Sequence, residues 1–217
     1  IRNPATGAVV DHAPAATEQD INRAIDAAES ALKGWSKTPP ARRGEILFES
    51  AHRIKEREKE LAKILTQEQG KPMREAVLEV RRFVHTLEHY AGMSKSIRGG
   101  YVPQLDDRRF GVIIKKPIGI CGAIVPWNFP LSLLGNKIGP ALLCGNTVVV
   151  KPAGTTPLTD SLAVRIMNDA GLPPGVLNIV PGPAKVVGEA ILRDPRIRKV
   201  GFTGGTATGK HVMEVAA

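Results

Sequence analysis

The stretch Gly119-Ile120-Cys121-Gly122-Ala123-Ile124-Val125-Pro126-Trp127-Asn128-Phe129-Pro130 decides how the chain is read. Its apolar first half predicts a buried strand. Two prolines then force an irregular turn, because each fixes its own φ and restricts the residue before it. An indole, Trp127, and a side-chain amide, Asn128, are thereby presented at the carboxyl end of a strand. In open α/β sheets that end is where ligands bind.

Toward the C-terminus the pattern alternates between helix and strand. Residues 131–143 predict a helix closed by Gly145-Asn146, and residues 147–151 a β-branched strand. Thr156-Pro157 supplies an N-cap and a first helical position for a helix reaching about residue 170. After the loop Gly171-Leu172-Pro173-Pro174-Gly175, residues 176–180 predict a strand, 185–193 a helix and 199–203 a strand. A last helix begins near Thr206 and is still running at Ala217, which gives the expectation of a chain that continues. Strands alternating with helices of this length mean a parallel sheet with helices on both faces.

Toward the N-terminus, Asn3 to Val10 reads as a turn and short strand. Thr17-Glu18-Gln19-Asp20 opens a helix as a capping box. Ile21, Ala24, Ile25, Ala28 and Leu32 follow at helical spacing. Residues 41–69 are charged helical stretches with Ile46, Leu47, Ile54, Leu61, Ile64 and Leu65 inward, ended by Gly70-Lys71-Pro72. Met73, Val77, Val80, Val84, Leu87 and Ala91 then form one buried helical stripe. Gly99-Gly100 changes the character of the chain. Residues 101–105 and 110–115 predict a β-hairpin around Asp106-Asp107-Arg108-Arg109. The expected fold is therefore α/β. A helical part over residues 1–98 and a β-hairpin over 99–117 precede a Rossmann-like parallel sheet with flanking helices over 118–217.

A chain of 217 residues with 42% hydrophobic and 24% charged residues has the makings of a soluble globular domain. No apolar run approaches the roughly 20 residues of a membrane helix, and no membrane partner is expected. Two cysteines make no disulfide framework, so a reducing, cytoplasmic setting is expected. The net charge of +9 does not point to nucleic acid. Lys and Arg alternate with acids along helices, as in residues 52–60, and aromatics are only 4%.

Four local features invite chemical readings. Phe202-Thr203-Gly204-Gly205-Thr206-Ala207-Thr208-Gly209-Lys210 joins a strand to a helix, where free N–H groups and the helix dipole favour a phosphate. Gly204 to Lys210 fits the start of a P-loop, but His211 stands where Ser or Thr is needed for magnesium. No G-x-G-x-x-G occurs. His85-Thr86-Leu87-Glu88-His89 matches a zinc-hydrolase string, with both histidines on one helix face but no third ligand marked. Cys121 and Cys144 lie in or beside apolar elements without a neighbouring His, which suits core thiols better than nucleophiles. Lys151, just past a strand end and before a helix, suits contact with an anion or a ribose.

Taken together and in order, Pro126-Trp127-Asn128-Phe129-Pro130, Gly145-Asn146-Thr147-Val148-Val149-Val150-Lys151-Pro152-Ala153, Gly171-Leu172-Pro173-Pro174-Gly175-Val176-Leu177-Asn178 and Phe202-Thr203-Gly204 resemble the aldehyde dehydrogenase superfamily. The opening Asn3-Pro4-Ala5-Thr6-Gly7 resembles its amino-terminal region, so the resemblance covers nearly the whole chain. It implies NAD(P)-dependent oxidation of a small-molecule aldehyde to a carboxylic acid through a cysteine thioester, with a glutamate activating water. It also implies that Asn128 donates to the developing oxyanion. Ile124, Val125, Pro126, Trp127, Lys151, Gly154, Gly188, Phe202, Thr203, Gly204, Gly205 and Thr208 match positions around the cofactor, NAD or NADP. The hairpin resembles part of the family's oligomerisation arm, so a homo-oligomer, dimer or tetramer, is expected.

The chain departs from the family pattern in three ways. Gly154 stands where many members carry a Glu that binds the ribose hydroxyls, so tolerance of NADP is expected. Gly205 replaces a common Ser. No Glu-Leu-Gly-Gly and no Gly-Gln-x-Cys stretch occurs, so the nucleophile and general base are expected beyond Ala217 and the chain alone is expected to be inactive. The other readings are an inactive, non-catalytic family member and a zinc hydrolase using His85, Glu88 and His89.

Overall fold

The structure is a computed structural model describing residues 1–217. Four helices come first: α1 (Glu18–Trp35), α2 (Pro40–Glu56), α3 (Glu58–Gln69) and α4 (Met73–Gly92). The hairpin β1 (Gly100–Asp106) and β2 (Arg109–Ile113) follows. Then come β3 (Ile120–Ile124), α5 (Pro130–Leu143), β4 (Thr147–Lys151), α6 (Pro157–Asp169), β5 (Leu177–Ile179), α7 (Glu189–Arg193), β6 (Ile197–Phe202) and α8 (Thr206–Ala216).

The four strands of the main sheet are parallel and ordered β5-β4-β3-β6. The chain builds outward from β3 to β5, then crosses back to lay β6 on the other side of β3. That reversal makes a switch point between β3 and β6, and a crevice opens at such a point beyond the carboxyl ends of the strands. Ile124 pairs level with both Lys151 and Phe202, so the three strand ends stand in one row.

Alternate residues of the sheet feed two apolar layers. Cys121, Ala123, Val148 and Val150 pack with α2 to α6, while Ile120 and Val149 pack with Ile21, Ile25 and Ala28 of α1 and with Val187 and Ile191. Helices thus cover both faces, as the alternating pattern requires. The capping box of α1 forms, with the Thr17 hydroxyl accepting from Asp20 N–H and the Asp20 carboxylate from Thr17 N–H. Trp35 closes α1 by donating its indole N–H to Leu142 O, 3.1 Å away across the chain. Helix α5 approaches α4 closely because Gly135 and Gly139 carry no Cβ; one there would sit 2.7 Å from Phe83 and 2.5 Å from Tyr90.

Several sequence expectations are corrected. Residues 41–69 form two helices, since Arg57 leaves helical geometry between α2 and α3. Residues 185–193 are a π-turn, Ala184–Gly188, followed by α7. Met73, at the first position of α4, is 42% exposed, and Ile64 is only half-buried. Asn3 to Val10 holds a turn, with only an isolated bridge between Arg2 and Val9. The hairpin turns through Asp107-Arg108 alone. Neither has positive φ, and a register shift between Val102 and Asp106 absorbs the mismatch with strand twist. Both of its faces are exposed.

Candidate functional site

The site begins where β3 runs out. Val125 N–H donates to Lys151 O at 3.1 Å and Thr203 N–H to Ile124 O at 3.3 Å, which extends the parallel ladder one step past the strands. The chain then turns through Pro126 to Pro130. Trp127, Asn128 and Phe129 are exposed, and Pro130 is buried at the first position of α5. The Asn128 side-chain oxygen accepts from Phe129 N–H at 3.1 Å. That contact fixes which end of the amide is occupied. The NH2 donates to nothing within the protein and is left free to donate outward.

Across the crevice, β6 ends at Phe202 and α8 starts at Thr206, with Gly205 as its N-cap. No side chain caps this helix, so the N–H groups of its first turn are unspent. A Cβ on Gly204 would lie 2.5 Å from the Phe202 ring, so only glycine lets the ring fold under the loop. A helix start with exposed Gly205 and Thr208 and free N–H groups is suited to an anion.

The row of strand ends also carries Lys151. Its side chain is buried, and its ammonium donates only to Pro152 O, at 3.1 Å. Burial pushes its pKa down, and no carboxylate balances it. Gly188 lies beside its stem, and Gly154 sits in open space after β4. A groove of about 420 Å³ brings Trp127 and Gly154 together, along with Glu68 and Thr155. The sequence-selected residues therefore fall at three consecutive strand ends around one crevice. Asn128 and Trp127 follow β3, Lys151 ends β4 and Gly154 follows it, and Thr203, Gly204, Gly205 and Thr208 follow β6.

Sequence reading missed two features. Lys137 is the only charged residue of α5. Its stem lies over Gly201 and its ammonium reaches the Thr203 hydroxyl at 2.5 Å, half-buried, with its pKa lowered by desolvation. A lone lysine inside an apolar helix was the signal available. A cavity of about 910 Å³ runs from Thr203 along the face between α5 and β6 down to Pro117, and Cys121, Cys144 and Lys137 all line it.

The second missed feature is a group of buried acids behind the crevice. Glu68 accepts from Leu158 N–H at 2.8 Å and Thr159 N–H at 2.9 Å, and also from the Thr159 hydroxyl, so it caps α6 from α3. Burial raises its pKa, and those donors oppose the rise. Glu79, fully buried, is paired with Lys71. Asp160 is fully buried with neither oxygen hydrogen-bonded. Desolvation, then repulsion from Glu68 and Glu79, raises its pKa well above the usual carboxylate range.

The competing motifs do not assemble. His85 and His89 are exposed on α4, and no three His, Cys, Asp or Glu side chains gather as a metal site. His211 contacts the Glu189 carboxylate instead of facing the phosphate-type loop. The buried Cys121 thiol is pushed up by desolvation, opposite to what a nucleophile needs. No helix is long and apolar enough to cross a membrane.

The chain is similar to known proteins along its whole length. The family model described as "Aldehyde dehydrogenase family" matches residues 1–217. A mitochondrial succinate-semialdehyde dehydrogenase of Arabidopsis thaliana is 41% identical over 218 residues, covering 100% of this chain and 41% of the relative. A D-glyceraldehyde dehydrogenase (NADP(+)) of Picrophilus torridus is 39% identical, covering 99% of this chain and 44% of the relative. The solved NAD+ complex of an aldehyde dehydrogenase from Bacillus cereus superposes with a TM-score of 0.96 at 37% identity, over 99% of this chain and 44% of that one. The chain thus spans less than half the length of the relatives it matches.

Proposed function

The chain belongs to the aldehyde dehydrogenase family, and on that premise we propose that it supplies the cofactor site and the oxyanion donor of an NAD(P)-dependent aldehyde oxidation. One observation carries the reading. A free side-chain amide and an uncapped helix N-terminus, from Asn128 and α8, flank the same switch-point crevice.

The residues present fit a dinucleotide. The start of α8, kept open by Gly204 and Gly205, would hold the pyrophosphate. Lys151, a buried cation without a carboxylate, would serve the ribose hydroxyls or a 2′-phosphate, and Gly154 adds no side chain there. Trp127 and Pro126 wall the site, with Ile124, Val125, Phe202 and Thr203 as its floor. The bound cofactor supplies the hydride acceptor. Asn128 donates its amide hydrogen where negative charge grows on the aldehyde oxygen once a thiolate has added to the carbonyl. A donor fixed in place before reaction stabilises that charge without reorganisation. The nucleophile is neither Cys121 nor Cys144, so the 217 residues alone turn over no aldehyde. The complete protein acts on a small-molecule aldehyde as a homo-oligomer in the cytoplasm, with the hairpin as part of the contact.

The test is Asn128→Ala in the catalytically complete protein. The expected result is a kcat lower by about 10²–10³ with cofactor affinity unchanged. Wild-type kcat in this variant would remove Asn128 from the oxyanion role.

A further inference from the structure

Asn128 is held from outside its own turn. Lys71 lies in the loop Gly70-Lys71-Pro72 between α3 and α4, 57 positions earlier in the chain. Its side chain is 9% exposed. The ammonium donates to Asn128 O at 3.1 Å and to Glu79 Oε2, and it lies 4.3 Å from the centroid of the Phe129 ring. Glu79 uses its other oxygen, Oε1, to accept from Ser132 N–H at 3.2 Å, in the first turn of α5. Gln69 Nε2 adds a longer contact, 3.4 Å, to the same Asn128 carbonyl.

One ion pair therefore grips the turn on both sides of the functional amide. Its cation holds the Asn128 carbonyl and the next ring, and its anion holds the helix start four residues on. The turn needs such a grip because its own two prolines donate no N–H and the segment belongs to neither ladder nor helix. The Lys71 ammonium has three donors to share between a carbonyl and a carboxylate and no acceptor to satisfy. Both charged groups are shielded from water, so the pair is not a weak surface contact.

We propose that Lys71 and Glu79 are positioning residues for the oxidation, an ion pair that fixes the Asn128 backbone so that its side-chain amide points into the crevice. The inference rests on Asn128 being the oxyanion donor. Lys71→Met alone leaves Glu79 buried and unpaired and is expected to unfold. The informative variants are Lys71→Met/Glu79→Gln, which leaves no lone charge, and Lys71→Arg, which keeps the pair.

The double variant is expected to fold, with amide exchange at Phe129, whose N–H donates to the Asn128 side chain, accelerated about tenfold or more. In the catalytically complete protein its kcat falls by about ten- to a hundredfold, as for a misplaced catalytic group. The KM for NAD(P) stays within about twofold, because the cofactor contacts are elsewhere. Lys71→Arg recovers most of the kcat. Added to Asn128→Ala, the double variant costs nothing further, since it acts only through that amide. Unchanged exchange at Phe129, or a kcat loss that adds fully to that of Asn128→Ala, overturns the proposal. If Asn128→Ala alone leaves kcat intact, the oxyanion assignment fails, and the exchange data still decide whether the pair orders the turn.

Discussion

Replacing Asp160 by Asn is expected to stabilise the protein near neutral pH and to leave it almost unchanged in acid. Asp160 is fully buried in α6, and neither carboxyl oxygen has a hydrogen-bond partner. Desolvation is the leading cause of its raised pKa, followed by repulsion from Glu68 and Glu79. The native acid therefore keeps its proton to higher pH than the unfolded one, which lets go near about 3.9. Between those two values the native state binds more protons, so stability falls as pH rises. The contribution is fully present below the unfolded value and is lost progressively up to the native one. Within that window each pH unit costs about 1.4 kcal/mol. For a chain of this size that is a loss of roughly 3–6 °C in Tm per unit. Asn has nearly the same shape and does not titrate, so Asp160→Asn removes the slope and little else. Thermal unfolding of both proteins between pH 4 and 7.5 is the assay. The Tm difference should be close to zero at pH 4 and open steadily in favour of the variant. A difference that stays flat, or that turns against the variant as pH rises, would mean that Asp160 is ionised and compensated in the native state.

Substitutions at two further positions, Gly154 and Glu68, probe the surroundings. Gly154→Glu places a carboxylate in open space, three residues past Lys151, without steric cost. At roughly 5 Å from a 2′-phosphate and an effective dielectric near 40, it should weaken NADP by about 2–3 kcal/mol while sparing NAD. Calorimetric titration with the two cofactors measures this, and equal weakening of both contradicts the assignment of this loop to the ribose. Glu68→Ala orphans three donors at the start of α6 and should cost about 3 kcal/mol or more. Glu68→Gln, whose amide oxygen still accepts, should cost less, and identical urea midpoints for the two variants would count against the capping role.

How much of this was legible in the sequence depends on the range over which each signal acts. The strand Ile120–Ile124 and its proline-bounded turn were readable because periodicity and proline act locally, and the capping box at Thr17 was readable for the same reason. The helix break at Arg57 was not, since no Gly or Pro marks it; the N–H of Arg57 is satisfied by Ile54 O and Lys55 O within the turn. The π-turn before α7 was equally silent, because Ala184-Lys185-Val186-Val187 is helical in composition. For Asn128, Trp127 and Lys151, local pattern said only that they stand at strand ends. The strand order β5-β4-β3-β6 is what brings those ends to one crevice.

The props of the site were illegible for a stronger reason. Glu68, Glu79 and Asp160 come from three different helices, and nothing in their local sequence separates them from surface acids. Their roles follow from how many compensating groups the interior gives each. Glu79 has an ammonium and an N–H, and Glu68 has two N–H groups and a hydroxyl. Asp160 has none, and it also feels the other two charges. In a low-dielectric region an acid stays ionised only where donors or a cation replace the water it gave up. Glu68 and Glu79 have such partners here, and Asp160 has none, so burial pushes its pKa up. The neutrality of Asp160 is thus tied to the charge on Glu79 that holds Lys71 against Asn128. Removing that charge together with its cation, in Lys71→Met/Glu79→Gln, takes away one of the two repulsions on Asp160. The pH window in which Asp160 lowers stability should then narrow from its alkaline side, linking the turn that carries the amide to a titration in a neighbouring helix.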